Sequence, residues 1–162
     1  MGSYLVTGGA GFIGANFVRM LVERTDHRVV VLDKLTYAAR RESLDGLPAD
    51  RVELVVGDVC DATVVDALVG DADVVVHFAA ESHNDNALDD PAPYVQTNLF
   101  GTFVLLEAVR RHGVRYHHIS TDEVYGDLAL DDPDRFHETT PYNPSSPYSA
   151  SKAGSDLLVR AW

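Results

Sequence analysis

Five short runs rich in apolar and β-branched residues recur along the chain: SYLVTG (3–8), RVVVLD (28–33), VELVVGD (52–58), ADVVVHFAA (72–80) and RYHHIST (115–121). Helical patterns lie between them. Strands that alternate with helices lie parallel, because a parallel pair needs a crossover, and apolar strands of this kind are covered on both faces. The expected architecture is therefore α/β, a doubly wound parallel sheet. Residues 11–24 carry Phe12, Ile13, Phe17, Leu21 and Val22 on one broad stripe. A short helix over 63–70 stops at Gly70, and a long one over 93–113 ends in Arg110, Arg111 and His112 with Gly113 as its left-handed cap. The proline-rich stretch 131–147 reads as a loop, with Pro147 where a last helix starts. That helix runs from about Tyr148 to Trp162 with neither a cap nor a following strand. The pattern is thus expected to continue in a longer protein.

The chain of 162 residues has the size of one domain, shows no internal repeat, and has the apolar share (46%) of a globular protein. Its net charge of −12 argues against nucleic acid or an anionic membrane as partner. No apolar run approaches a membrane span, and strand-like residues from Ser3 onward leave no room for a signal peptide. Met1-Gly2 does not read as a myristoylation signal, because Val6 stands where Ser or Thr is needed. Cys60 is the only cysteine, which fits a reducing compartment and a cytoplasmic location. His117 and His118 should point to opposite faces of a strand, and no metal site is expected.

The first strand turns into its helix through TGGAGFIG, in which Gly8, Gly11 and Gly14 form a GxxGxxG spacing. Glycine there permits a tight turn and lets the backbone approach a pyrophosphate at the helix N-terminus. Asp33 ends the second strand about 20 residues further on, where an acid hydrogen-bonds an adenosine ribose and repels a 2′-phosphate. NAD is favoured over NADP. Asp58 and Val59 close the third strand in position to flank an adenine, although Asp58 also suits a plain turn.

Tyr148 and Lys152 lie four residues apart on the last helix, so one face carries both. A nearby ammonium favours phenolate, and such a tyrosine accepts a proton from a substrate hydroxyl as hydride leaves the same carbon. The stretch STDEVYG (120–126) sets two carboxylates, Asp122 and Glu123, side by side after the fifth strand. Mutual repulsion keeps one of such a pair protonated more easily than the other.

With YLVTGGAGFIG, LDKLTYA, GDVCD, HFAAESH, TNLFGT, STDEVYGDL and NPSSPYSASKAGSDLLVRAW, the chain resembles the extended short-chain dehydrogenase/reductase family along its whole length, and within it the nucleotide-sugar 4,6-dehydratases. The resemblance implies a Rossmann fold over 1–162 that binds NAD and carries the catalytic residues, with a C-terminal nucleotide-sugar-binding lobe outside this chain. It implies Thr121, Asp122, Glu123, Tyr148 and Lys152 as catalytic residues: Asp122 the general acid, Glu123 the general base, Thr121 a contact to the sugar. It assigns Phe12 and Ile13 to the pyrophosphate, Lys34 and Thr36 to the adenosine side, Phe78, Ala79, Ala80 and Ser82 to the cofactor's ribose and nicotinamide side, and Thr97 to the cofactor. Ser82 would also approach the sugar, and His83 would be structural. The implied substrate is a nucleotide sugar, dTDP-glucose, in deoxysugar biosynthesis, and the implied assembly is a homodimer through the 93–113 and 148–162 helices. Phe103, Leu106, Leu157 and Leu158 suit either that interface or ordinary core packing.

Where many members read Val-Asp-Arg after AAESH, this chain has Asn84, Asp85 and Asn86. Two other readings remain: an epimerase or decarboxylase of the same family, and a cofactor-binding module without turnover. The acid pair argues against the first and the full set of catalytic residues against the second.

Overall fold

The computed structural model describes residues 2–162; Met1, part of the Met1-Gly2 signal considered above, lies outside the described residues. Strand β1 (Ser3–Thr7) leads through the glycine turn into helix α1 (Phe12–Arg24), then β2 (Arg28–Asp33) and β3 (Val52–Val56). Helix α2 (Ala62–Gly70), β4 (Val74–His77) and a short α3 (Asn84–Asp89) follow. A long helix then runs as α4 (Ala92–Tyr94), a π-helical segment (Val95–Phe100) and α5 (Gly101–His112). Strand β5 (Arg115–His118), a 3-10 turn (Asp122–Tyr125) and α6 (Pro147–Ala161) complete the chain.

The pairings within the sheet are parallel, in the order β3-β2-β1-β4-β5. Strand order reverses beside β1, and ligands of such sheets bind at that reversal, beyond the carboxyl ends of the strands. Adjacent residues of β1 face opposite cores. Leu5 joins Leu32, Val65, Val69, Val75 and Leu105 in a core that faces α2 and α5, whereas Val6 joins Val18, Leu21, Val29 and Val31 against α1. Both faces of the sheet are therefore covered, as the apolar runs require. Full burial of a side chain such as Leu5, Leu32 or Leu105 stabilises by about 1.5–3 kcal/mol each.

Several boundaries differ from expectation for one reason. Strands expected to reach residues 8, 58, 80 and 121 end at Thr7, Val56, His77 and His118. The residues left over bend out of the sheet ladder and build the crevice wall. The edge strand β3 is only half covered, and Val56 is exposed, so the both-faces rule weakens at the rim. His117 is exposed and His118 is not, as their alternation requires.

The helix ends follow local chemistry. Asp61 caps α2 by accepting from the backbone N–H of Thr63 and Val64, and Gly113 takes φ 68° at the end of α5. Arg51 donates to the carbonyls of Val22, Thr25 and His27, closing the C-terminal end of α1. The expected single helix over 93–113 is interrupted by its π segment, where the wide turn buries Asn98 and brings Gly101 against Val59; a Cβ on Gly101 would lie 2.7 Å from Val59 Cγ2. Leu106 is 3% exposed inside the core, and Leu158 packs against that core, which removes Leu106 from any interface. Phe103 and Leu157 stay on the surface.

Candidate active site

The glycine turn is tight for stated reasons. Gly8 sits at φ 69°, and a Cβ there would lie 2.5 Å from the backbone nitrogen of Ala79, while a Cβ on Gly14 would collide with the carbonyl oxygen of Gly8. Strand, turn and helix can pack this closely only without side chains. Helix α1 begins at Gly11 with no side-chain cap and no acidic residue in its first turn. Its first N–H groups thus remain available to an anion at the positive end of the helix dipole.

Asp33 is buried, accepting from Ala10 N at 2.9 Å and from Leu35 N at 2.8 Å. It holds the turn in shape with one lone pair per oxygen and leaves the others for a ligand. Lys34 and Asp58 form an ion pair at 2.6 Å. Burial pushes the Asp58 carboxyl up, but hydrogen bonds from Lys34 and Cys60 outweigh it and the net direction is down; Lys34 moves up through its bond to Asp58. Cys60 is pushed up to about 11 by burial and the Asp58 charge, which makes it an inert thiol.

These groups surround a cavity of about 480 Å³ at the strand reversal. Gly8, Gly11, Phe12, Ile13, Gly14, Asp33, Lys34, Thr36, Asp58, Val59, Phe78, Ala79, Ala80, Ser82, Thr97, Tyr148 and Lys152 all line it, together with Glu81, His83, Ile119 and Ser120. A glycine cradle, an uncapped helix start, a buried acid at the end of β2 and an apolar wall fit a dinucleotide. Thr121, Asp122 and Glu123 continue from Ser120 beyond the lining. Thr121 caps their turn, its hydroxyl accepting from Glu123 N at 3.3 Å.

Tyr148 opens α6 and joins the two regions. Its phenol is pushed up by burial first, with the Thr121 hydroxyl pulling down and the Glu123 and Asp122 charges adding to the rise. That corrects the expectation of a phenol eased toward phenolate by its lysine. The Lys152 ammonium is turned to the carbonyl of Ile119, to which it donates at 2.5 Å. Burial lowers Lys152 to about 8, opposed by Asp156.

Asp156, one helical turn past Lys152, escaped the sequence reading. It accepts from Ser120 Oγ at 2.5 Å and Tyr142 OH at 3.1 Å, and lies 3.3 Å from His118 Nε2. The spacing 148, 152, 156 on one helix face was the signal available. Asn98 was missed as well. It accepts from Glu81 N at 2.8 Å and donates to Glu81 O at 3.0 Å and Ser151 Oγ at 2.9 Å, fixing the loop after β4 to α6. Among the described residues no cluster of three or more His, Cys, Asp or Glu is placed to hold a metal, and no helix is long and apolar enough to cross a membrane.

Sheet order, glycine turn and the Tyr148/Lys152 helix together define a dinucleotide-binding Rossmann domain of the short-chain dehydrogenase/reductase type. Within that class, the chain belongs to the GDP-mannose 4,6 dehydratase family, whose pattern matches residues 5–162. It is 69% identical over 159 residues to the dTDP-glucose 4,6-dehydratase of Mycobacterium tuberculosis strain H37Rv, covering 98% of this chain and 48% of the relative. The crystal structure of DesIV, a dTDP-glucose 4,6-dehydratase from Streptomyces venezuelae with NAD bound, superposes with a TM-score of 0.92 at 46% identity, covering 98% of this chain and 51% of that one. The UDP-glucose 4-epimerase of Thermus thermophilus, also in complex with NAD, gives 0.86 at 34% identity, covering 98% and 50%. The chain spans about half the length of the curated relatives it matches.

Proposed function

We propose that these residues are the NAD-binding and catalytic half of a nucleotide-sugar 4,6-dehydratase that acts on dTDP-glucose. The observation that carries this reading is the adjacent pair Asp122 and Glu123, capped by Thr121 and electrostatically coupled to a buried Tyr148. NAD, when bound, supplies a reversible hydride acceptor. Tyr148 takes the proton of the C4 hydroxyl while C4 is oxidised to a ketone, and the ketone acidifies the C5 hydrogen. Glu123 removes that proton, and Asp122 protonates the C6 hydroxyl so that it leaves as water. The sugar regains hydrogen at C6 and a proton at C5, so the net change is loss of one water. Lys152 lines the cavity with Tyr148 and would hold a hydroxyl of the cofactor ribose.

The remaining half of the relatives' length, on this reading, supplies contacts to the nucleotide base. Exposed Phe103 and Leu157 fit a homodimer through the long helix and α6, Phe103 packing edge-on against Trp162 at 5.8 Å. A cytoplasmic enzyme is in keeping with the single thiol and with NAD as cofactor. The test is product analysis by NMR after a chain extended to the relatives' length is incubated with dTDP-glucose and NAD. The 4-keto-6-deoxy sugar is expected; a C4 epimer or unchanged substrate overturns the proposal.

A further inference from the structure

Two carboxyls in one turn do not say by themselves which is the acid and which the base. Their partners differ. Glu123 Oε2 accepts from Asn84 Nδ2 at 2.8 Å, while Asp122 Oδ1 has the Thr121 hydroxyl at 3.4 Å. The orientation of the Asn84 amide is dictated by chemistry. A carboxylate only accepts, so the NH₂ end must face Glu123 and the oxygen must face Ser146. The Ser146 hydroxyl already accepts from Ser149 N at 3.0 Å, which leaves its proton for Asn84 Oδ1 at 2.8 Å.

Ser146 is the N-cap of α6, two residues before Tyr148. One amide thus spans the loop after β4, the turn after β5 and the start of α6. The platform beneath it is rigid. The Tyr94 hydroxyl donates to the carbonyl of His83 at 2.5 Å, and Ala87 packs with Tyr94 and Tyr148 in a small buried cluster, so α3 is fixed on both sides of Asn84. His83 caps α3 without a side-chain bond, and Asn84 spends its own side chain away from that helix.

We infer that Asn84 is a positioning residue for Glu123, holding its carboxylate for the part of base in the pair. It aims the Glu123 carboxylate from the same frame that holds Tyr148, and leaves the proton-donating part to Asp122. This rests on the dehydratase reading above. In a chain extended to the relatives' length, Asn84→Leu should lower kcat by about tenfold with KM changed less than about twofold. Nicotinamide reduction on rapid mixing with dTDP-glucose should keep its wild-type rate, so reduced nicotinamide builds up.

A role in propping α6 alone would slow reduction and elimination together; that result, or no slowing at all, overturns the inference. In the 162-residue chain, the Asn84 side-chain NH₂ resonances should move on Glu123→Gln; resonances that stay put overturn it whatever the enzyme does. If the wild type makes no keto sugar, the functional reading has failed and the inference falls with it, a result visible before any variant is made.

Discussion

The two ionisable groups of α6 that face the cavity sit away from their ordinary values in opposite directions, each because of burial. Lys152 is lowered to about 8 in the fold against 10.5. Between about pH 8 and 10.5 the unfolded chain therefore binds the proton and the folded chain does not, so this group makes stability rise with pH across that window. The difference in melting temperature between wild type and Lys152→Met, followed by calorimetry, should change across that window and be flat below it. Burial first, then the Glu123 and Asp122 charges, push the Tyr148 phenol up. The two steps of the proposed reaction then separate by residue. In the extended chain, Glu123→Gln should accumulate reduced nicotinamide on adding dTDP-glucose, and Tyr148→Phe should show none. Equal accumulation in both would remove the roles assigned. Asp33 is read as a ribose contact from its place at a strand end, and on that reading NAD⁺ should bind tighter than NADP⁺ by about tenfold, or about 1.4 kcal/mol, in a direct titration. Its second task, holding Ala10 and Leu35 by their N–H groups, was not legible, because backbone partners leave no mark in a side-chain pattern.

At the scale of elements, periodicity located the strand cores, and most of the extra residues assigned to the strands line the cavity instead. A pattern records burial, and Phe78 or Ile119 is as apolar in a crevice wall as in a ladder. Helix α3 went unseen, since NDNALD is short and rich in residues of poor helix propensity; packing of Ala87 against Tyr94 and Tyr148 holds it instead. The π segment was invisible for a related reason. Its wide turn exists to bring the Asn98 amide to Glu81 and Ser151, partners distant in sequence. Asn98→Ala would leave the Glu81 N–H and C=O short of partners in a part-buried place, while the Ser151 hydroxyl keeps its bond to the carbonyl of Tyr148. Denaturant unfolding should show a loss of about 1–3 kcal/mol, with weaker dinucleotide binding as the loop after β4 loosens. A loss within about 0.5 kcal/mol, the range of ordinary surface changes, would mean that water replaces the amide.

Over the whole molecule, two cores clamp a sheet whose order reverses beside β1, and that reversal puts the crevice and the turn carrying Asp122 and Glu123 on one edge. On our reading, cofactor-binding and acid–base groups arise from the same 162 residues, and the contacts that bind a nucleotide base fall to the other half of the relatives' length. Binding energy remote from the reacting atoms orients them. The 162-residue polypeptide should accordingly bind NAD and show no turnover, and the extended chain should show both. The measurement that bears most directly on the account uses dTDP-glucose carrying deuterium at C4. Oxidation at C4, loss of water across C5 and C6, and return of the same hydrogen predict a product methyl group bearing one deuterium. Deuterium found back at C4, as an epimerase would leave it, or released to solvent, would contradict the account.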